Sequence, residues 1–335
     1  MQLPAPRGPL SQQVAHVLAD RAMDAPVVTA LPLQDDDLLV NEDVQLALWM
    51  LFELHYRGFD DVDPDLEWDP LLIHSRTMLE ACLEQTLRRL TADDVRRAAS
   101  SAGDLPEQLN HLIDELDGGS LASHLQRHAT EEQFADFLRQ RSVYQLKESD
   151  PQSFVLPRLD GPAKAALAEL QYDEYGAGRP ERLHATMFAR AMEAIGLDSA
   201  YGAHVDEASA ITLAVNNVMS MFALRRRLRG AALGHLAAFE ATSSAPCRRI
   251  VSGIERLGLP EVTAAYFDEH VEADAVHEQL AIRNICGTLV EAEPELADDV
   301  LFGAASCLRL DGLAGAALVD MWSRPAPRHL VGVQA

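Results

Sequence analysis

Residues 267–281, FDEHVEADAVHEQLA, place two histidines and an aspartate at helical spacing. On a helix that turns about 100° per residue, His270, Asp274 and His277 fall within about 60° of one another and share one face. Two imidazoles and a carboxylate on one face are donors that suit a divalent cation. The alternative is an acidic surface helix with two hydrogen-bonded histidines, and one helix does not complete a metal site.

Other predicted helices offer further candidate ligands. His184 is predicted to begin a helix, and Glu174 ends the helix before it, near the same corner if the two form a hairpin. Glu240 lies among small apolar residues, where an unpaired charge would be unfavourable. Glu148 lies near the end of another helix. Each carboxylate taken alone can equally be structural, so the case depends on their combination.

The combined donor set indicates the type of metal. Three imidazoles and several carboxylates, without a thiolate, favour iron or manganese over a cysteine-rich zinc site, and in a helical bundle they suggest a dinuclear centre. Ferritin-like bundles build such centres from Glu-x-x-His pairs. Glu181 and His184 have this spacing, and Asp274 and His277 have a related one. Glu181 therefore competes with Glu174 as a ligand.

Composition narrows the class of protein. The 335 residues include 28 Lys+Arg and 52 Asp+Glu, a net charge of −24 at pH 7. This charge repels nucleic acid and anionic lipid surfaces, so we expect neither as a partner. The N-terminus has no apolar signal core, and no apolar run reaches the roughly 18 residues of a membrane span. Four scattered cysteines without a CxxC pair fit a reducing compartment, and we expect a cytoplasmic protein.

The elements that position these residues are predicted to be helices. Between Asn41 and Trp322 no useful stretch alternates with period two, so the sequence predicts an all-α fold. Asn41 is a predicted N-cap, Thr130 begins a predicted capping box, and Gly176 and Gly178 are predicted stop signals. Predicted helices cover about residues 41–58, 69–90, 91–101, 105–116, 130–148, 161–178, 184–195, 206–242, 261–290 and 295–322.

Four blocks of the sequence resemble the haem-oxygenase-like di-iron oxidases, also called iron-containing redox enzymes. The blocks are SVYQLKESDP, KAALAELQYDEYGAGRPERLHATMF, RRRLRGAALGHLAAFEATSS and FDEHVEADAVHEQLA, within about residues 138–322. The resemblance is strongest to the di-iron domain of N-oxygenases that hydroxylate amino-acid nitrogen. It implies a haem-oxygenase-like helical bundle without haem, in which Glu174 is preferred to Glu181. The implied metal ligands are Glu148, Glu174, His184, Glu240, His270, Asp274 and His277.

The resemblance also suggests how the chain is organised. Residues 35–130 resemble the helical region that precedes the di-iron domain in relatives, and we expect this region to help form a homodimer. Residues 131–325 correspond to the di-iron domain itself. Prolines are frequent in residues 1–34, which we expect to be a loosely ordered tail, and residues 326–335 form a second tail.

The implied function is that of a non-haem di-iron oxidase or oxygenase that depends on O₂. Two ferrous ions would react with O₂ to give a peroxo-diferric species, with an external electron donor. We expect N-oxygenation of an amino acid or amine in specialised biosynthesis. The same centre could instead cleave C–C bonds, desaturate or decarboxylate an amino or fatty acid. A non-catalytic helical metal-binding protein is the alternative of another class, and the seven filled ligand positions count against it.

Polar residues on the predicted helix 206–242 are candidates for substrate binding. Arg225 or Arg226 could bind a substrate carboxylate, and Asn217 and Ser220 could line the cavity. The alternative for the arginines is pairing with surplus carboxylates of this acidic chain. For Asn217 and Ser220, the alternative is a polar contact between helices.

Overall fold

The computed structural model describes residues 1–20, 26–28, 35–116 and 120–324, apart from the side chains of residues 35, 36, 120 and 272–276. This part of the chain is helical and contains no strand, which confirms the predicted all-α fold. The α-helices are α1 (Pro9–Asp20), α2 (Glu42–Glu53), α3 (Pro70–Ser100), α4 (Leu105–Leu116), α5 (Ser120–Arg127), α6 (Glu131–Gln145), α7 (Asp150–Ser153), α8 (Gly161–Glu174), α9 (His184–Ala194), α10 (Ala210–Leu224), α11 (Arg229–Ala241), α12 (Ser244–Leu257), α13 (Glu261–Gln279), α14 (Thr288–Ala292) and α15 (Ala297–Ser323).

Irregular helical segments join several of these elements. A π-helix, Leu280–Gly287, connects α13 to α14, so the predicted helix over 261–290 is one nearly continuous segment. The 3₁₀ helices are Asp35–Val40, Pro64–Trp68, Leu156–Arg158, Gly176–Gly178, Pro180–Arg182, Val205–Glu207, Arg226–Leu228 and Pro294–Leu296.

The predicted capping signals are confirmed. The side chain of Asn41 accepts a hydrogen bond from the backbone N–H of Val44, which begins α2. Thr130 and Gln133 form a reciprocal capping box at the start of α6. Gly176 and Gly178 adopt φ values of +68° and +77°, a left-handed conformation that glycine tolerates, and they follow the end of α8.

Two predicted helix boundaries were wrong. The predicted helices 69–90 and 91–101 are one helix, α3, because Thr91 donates its hydroxyl hydrogen bond to the carbonyl of Leu87 within the helix and does not cap a new one. The predicted helix 206–242 is divided into α10 and α11. The guanidinium of Arg158, distant in sequence, donates to the carbonyls of Ala223 and Leu224 and so satisfies the end of α10.

Residues 1–20 pack against the fold, although we expected a loosely ordered tail. Helix α1 buries Val14 and Leu18 completely. Ser11 donates from its backbone N–H and its hydroxyl to the carboxylate of Asp43 in α2. The prolines of this segment lie before or at the first position of α1, where the absence of an N–H has no cost.

The larger of two apolar cores among the described residues crosses the expected boundary near residue 130. It includes Leu18, Leu48 and Leu83 from the N-terminal helices and Phe222 and Phe302 from the later ones. The N-terminal helical region and the rest of the described chain therefore share a core. The role of this region in dimerisation stays a prediction, and residues 325–335, which include the predicted C-terminal tail, lie outside the described residues.

The segment Pro294–Ser323, which contains α15, is long and apolar enough to cross a bilayer by length and composition. This differs from our expectation that no segment would reach that length. However, 61% of its most apolar window is buried inside the protein. Burial on most sides requires apolar residues all round a helix, so the composition is that of a central core helix.

Helices α11 and α15 approach each other closely through two glycines. A Cβ atom on Gly234 would lie 1.8 Å from the carbonyl oxygen of Val300, and one on Gly303 would lie 1.9 Å from that of Ala231. Any other residue at either position would push the helices apart, because real Cβ atoms do not approach oxygen so closely. This contact positions the end of α11, which carries Glu240.

A buried ion pair connects the N-terminal helices to the segment that carries Glu148. The ammonium of Lys147 donates to the carboxylate of Glu53 in α2 at 3.0 Å, and both side chains are at most 2% exposed. The hydroxyl of Tyr201 donates to both oxygens of Glu53 at 2.8 Å. A buried charge pair of this kind is stable only while both partners are present.

Replacing Lys147 with methionine should lower the free energy of unfolding by about 3–5 kcal/mol, because Glu53 would stay buried without its cation. The measurement is urea unfolding of the metal-free protein. The double variant Lys147→Met/Glu53→Gln is the matched control and should recover most of the loss. A single variant within about 1 kcal/mol of wild type would show that the pair is not desolvated as the structure indicates.

Candidate metal centre

Six of the seven predicted ligands come together in two buried clusters. In one, the ligand atoms of Glu148, His184 and His270 lie within 4.8 Å of one another, and in the other those of Glu174, Glu240 and His277 do. All six residues are 2–6% exposed. We call them the Glu148 cluster and the Glu240 cluster. The remaining predicted ligand, Asp274, lies outside the residues whose side chains the structure describes.

Five chain segments supply these side chains. Helix α13 contributes both His270 and His277, which are seven residues apart and therefore two turns apart on one face. The others lie at or near helix ends: Glu148 in the turn after α6, Glu174 as the last residue of α8, His184 as the first of α9, and Glu240 near the end of α11.

The turn after Glu148 has an unusual backbone conformation. Ser149 adopts φ +66°, a left-handed conformation that costs a non-glycine residue roughly 1–2 kcal/mol. Hydrogen bonds hold it there: its hydroxyl donates to the Glu174 carboxylate at 3.0 Å, and the Gln171 side chain donates to its carbonyl at 2.8 Å. The strained turn thus links Glu148 to Glu174, and strain of this kind is concentrated at functional sites.

Glu174 joins the two clusters. One of its carboxylate oxygens lies 3.1 Å from Nδ1 of His184, and the other lies 3.7 Å from Nδ1 of His277. The rings of His184 and His270 are also close, with centroids 4.6 Å apart. A single carboxylate that faces both clusters has the placement required to bridge two cations.

Outer partners orient the imidazole rings of His270 and His277. Nδ1 of His270 lies 2.8 Å from the carbonyl of Tyr266 and donates to it, and Nε2 faces Glu148 at 3.5 Å. Nε2 of His277 lies 3.4 Å from the Asp173 carboxylate, and its Nδ1 faces Glu240 at 3.6 Å. Metal-binding histidines are oriented in this way.

The electrostatics of the metal-free clusters are dominated by their own charges. Burial by itself would raise the pKa of Glu174, but the histidines 184, 270 and 277 lower it to about 2. Burial by itself would lower the pKa of His277, but the carboxylates of Glu240, Glu174 and Asp173 raise it to about 9. The buried carboxylate of Glu174 is therefore ionised and requires positive charge nearby, which comes from protons or from bound cations.

The residues fit a pair of divalent cations. Nδ1 of His184 and of His277 is buried and makes no hydrogen bond in the described chain, although carboxylate oxygens lie 3.1 and 3.6 Å away. Nitrogen and oxygen atoms that converge without forming hydrogen bonds can both act as ligands of a cation between them. The absence of a thiolate from both clusters favours iron or manganese.

Glu181 and the predicted substrate-binding residues lie elsewhere. Glu181 is exposed in the 3₁₀ helix Pro180–Arg182, so the geometry favours Glu174 as the ligand.

Arg225 pairs with Glu80, and Arg226 is exposed. Asn217 donates to the Gln45 carbonyl and side-chain oxygen, and the Ser220 hydroxyl accepts from Tyr56. Arg225, Arg226, Asn217 and Ser220 do not line the cavity at the clusters. The contacts of Arg225, Asn217 and Ser220 fit the alternative explanation, an ion pair for the arginine and polar helix contacts for the other two.

Sequence reasoning missed three residues that contact the clusters, Ser149, Tyr266 and Asp173. The hydroxyl of Tyr266 donates to both oxygens of Glu148 at 2.8 Å and so orients this carboxylate. Tyr266 precedes His270 by four residues, and this helical spacing was a signal that could have identified it. Asp173 directly precedes Glu174 and contacts His277, but adjacency on a helix does not predict a shared site.

A cavity of about 240 Å³ reaches the Glu148 cluster. Glu148, His270 and Tyr266 line it, and much of the rest of its wall is apolar, including Phe188 and Phe239. The ligands of the Glu240 cluster are not among its lining residues. A second cavity of about 120 Å³ shares part of the wall. Of the two candidate cation positions, the one at Glu148 is thus adjacent to space for a small molecule.

The fold and the clusters define an all-α protein with two buried groups of His and carboxylate side chains, and comparison with known proteins identifies its family. A family model described as iron-containing redox enzyme matches residues 135–312, just over half of the chain. The chain belongs to this family, and it is an oxidoreductase with a haem-oxygenase-like helical fold.

A curated relative is similar over part of the chain. It is nitrosourea synthase from Streptomyces achromogenes subsp. streptozoticus, 29% identical over 147 residues. The matched segment covers 44% of this chain and 31% of the relative. The chain therefore corresponds to about a third of that longer protein, and the similarity concerns this shared segment.

Proposed function

We propose that this protein binds two iron ions and uses O₂ to oxygenate a nitrogen atom of a small amino acid or amine. The Glu148 and Glu240 clusters would each hold one ion, and Asp274 is a further ligand that the family resemblance implies. The observation that carries the proposal is the carboxylate of Glu174, which faces both clusters at 3.1 and 3.7 Å. Similarity to a relative named for forming a nitrosourea supports chemistry at nitrogen.

The chain's own residues would bind and orient the reactants. When bound, two ferrous ions supply the electrons for O₂ reduction, which amino-acid side chains cannot do. Tyr266 holds the Glu148 carboxylate in position beside the cavity. The apolar wall around Phe188 and Phe239 excludes water from the reacting groups. We further propose a cytoplasmic homodimer that receives electrons from an external donor.

The test is an anaerobic ferrous titration with a metal count, followed by rapid mixing with O₂ in a stopped-flow spectrometer. We expect two irons per chain and a transient visible absorbance in the wild type, and loss of both the second iron and the transient in His277→Ala. His111→Ala, at an exposed histidine, is the matched control and should behave as wild type. One iron or none in the wild type, with no transient, would instead support a non-catalytic metal-binding protein.

The identity of the products determines which type of reaction the protein catalyses. Mass spectrometry after incubation with amino acids and amines should show addition of one oxygen atom from ¹⁸O₂ to a nitrogen. Loss of two hydrogens, of CO₂ or of a carbon fragment would indicate desaturation, decarboxylation or C–C cleavage at the same centre. These alternatives share the ligand set, so the product distinguishes them.

A further inference from the structure

Three polar side chains form part of the wall that the two cavities share. Arg141 and Gln145 are four residues apart on α6 and so lie on one face, and Asp311 comes from α15. We call these three residues the polar wall. Among the described residues that line either cavity, Arg141 is the only lysine or arginine. The larger of the two cavities extends from the polar wall to Glu148 and His270.

Several N–H groups of the Arg141 guanidinium have no acceptor within the described chain. It makes one hydrogen bond within the described chain, from Nη2 to the carboxylate of Asp311 at 2.9 Å, and it lies 5.8 Å from the centroid of the Phe137 ring. A guanidinium carries five N–H donors, so several are available to a ligand in the cavity. The side chain is 30% exposed, which leaves it accessible from the cavity.

Gln145 gives a second, independent indication of a ligand. Gln145 is only 6% exposed, and its buried side-chain oxygen has no hydrogen-bond partner in the described chain. Leaving such a group unsatisfied costs about 1–3 kcal/mol. Gln145 lines both cavities, so its unpaired amide oxygen is placed to accept from a polar ligand, or from a water that the ligand displaces.

The charges of the polar wall select the class of ligand. A simple carboxylate would be attracted by Arg141 but repelled by Asp311, and a simple amine would experience the reverse. The zwitterion of an α-amino acid can pair its carboxylate with Arg141 and its ammonium group with Asp311. The amide of Gln145 can donate to the first group or accept from the second. The cavity volume of about 240 Å³ also suits a small molecule.

We propose that Arg141, Asp311 and Gln145 recognise the α-carboxylate and α-ammonium groups of an amino-acid substrate. This inference depends on the proposed function, because it places the substrate of the metal centre. Arg141 lies on α6 and Glu148 in the turn that follows it, and both line the larger cavity. With the α-carbon held at the polar wall, the substrate's side chain extends through the apolar part of the cavity towards Glu148 and His270. The side chain, and not the α-amino group, is then the part that reacts.

The test measures binding, not turnover. The twenty proteinogenic L-amino acids are titrated by anaerobic calorimetry into the iron-loaded protein. The amino acid that binds most tightly is then compared with the amine that lacks its carboxylate and with the acid that lacks its α-amino group. We expect at least tenfold weaker binding of both analogues. Octanoate, the fatty-acid probe, should bind more weakly than the amino acid.

The variants separate recognition from metal binding. Arg141→Met, which keeps the side-chain volume against Phe137, should weaken binding of the amino acid at least tenfold while the iron count stays at the wild-type value. Asp311→Asn should weaken binding of the amino acid but not of the acid that lacks the amino group. Gln145→Leu should weaken binding several-fold. Arg248→Met, at an exposed arginine on α12, is the matched control and should bind as wild type.

Several results would overturn this inference. They are no binding of any of the twenty amino acids, unchanged binding in Arg141→Met, or binding of octanoate as tight as that of the amino acid. If any of these occurs while the wild type still takes up two irons and reacts with O₂, the recognition site is wrong and the proposed function stands. If iron uptake fails, the proposed function is wrong, whatever the binding data show.

Discussion

Replacing Glu174 with alanine should remove both iron ions, whereas replacing Glu148 with alanine should remove only one. Glu174 faces His184 with one oxygen and His277 with the other, so its loss takes a ligand from both positions. Glu148 belongs to one cluster only. Loss of a residue that only hydrogen-bonds to a metal ligand lowers the affinity for the metal about 10–100-fold. Loss of a ligand shared by both ions should lower this affinity further. The iron content of Glu174→Ala should fall below about a quarter of the wild-type value.

The measurement is the iron content after anaerobic loading and desalting, with circular dichroism to confirm that each variant is folded. The matched control is Glu181→Ala, which removes an exposed carboxylate seven residues further along the chain and should leave the iron content unchanged. If Glu174→Ala retains two irons, the carboxylate does not bridge. If Glu181→Ala loses iron, the loop that carries it must be arranged differently in the loaded protein.

The Gly303→Ala substitution should lower the stability of the protein strongly, although it adds only one methyl group. Its Cβ would lie 1.9 Å from the backbone oxygen of Ala231, and a backbone atom cannot move away without shifting α11. Overpacking of a rigid core typically costs about 1–3 kcal/mol and occasionally more, whereas alanine gains only about 1 kcal/mol over glycine in helix propensity. We expect the free energy of unfolding to fall by about 2 kcal/mol or more.

Gly312→Ala provides a control on the same helix, because a Cβ there meets no atom within 4 Å. The free energy of unfolding of this variant, measured in urea, should equal that of wild type or exceed it by up to about 1 kcal/mol. Because α11 carries Glu240, Gly303→Ala should also retain less iron than Gly312→Ala. Equal stability of the two variants would show that α11 and α15 can separate without loss of packing.

Much of the fold was predictable because helix signals are local. The cap of Asn41, the capping box at Thr130 and the left-handed glycines after α8 each depend on residues within one or two turns, and the structure confirms them. The division of α10 from α11 was not predictable in this way. It depends on Arg158, which is more than sixty residues away in sequence.

The candidate site was partly predictable for the same reason. His270 and His277 share a face by helical periodicity. Positions near helix ends or among apolar residues suggested the candidates Glu148, Glu174, His184 and Glu240, which the family resemblance supported. Periodicity cannot show which side chains meet across helices. Arg225 illustrates this limit: its charge suggested a substrate carboxylate, but packing places it against Glu80. Arg141, which had no distinguishing sequence context, is the arginine that lines the cavity.

The sequence by itself determined the all-α class, the approximate positions of most helices, the acidic character of the chain and the residue types that can bind metal. These follow from local propensity, composition and periodicity, which act over a few residues. Only the tertiary structure decided that the six candidate ligands form two clusters joined by Glu174, that Tyr266 orients Glu148, and that one cluster adjoins a cavity. Such contacts arise from the packing of helices distant in sequence, because several helices must be fixed relative to one another before their side chains can converge on a single site.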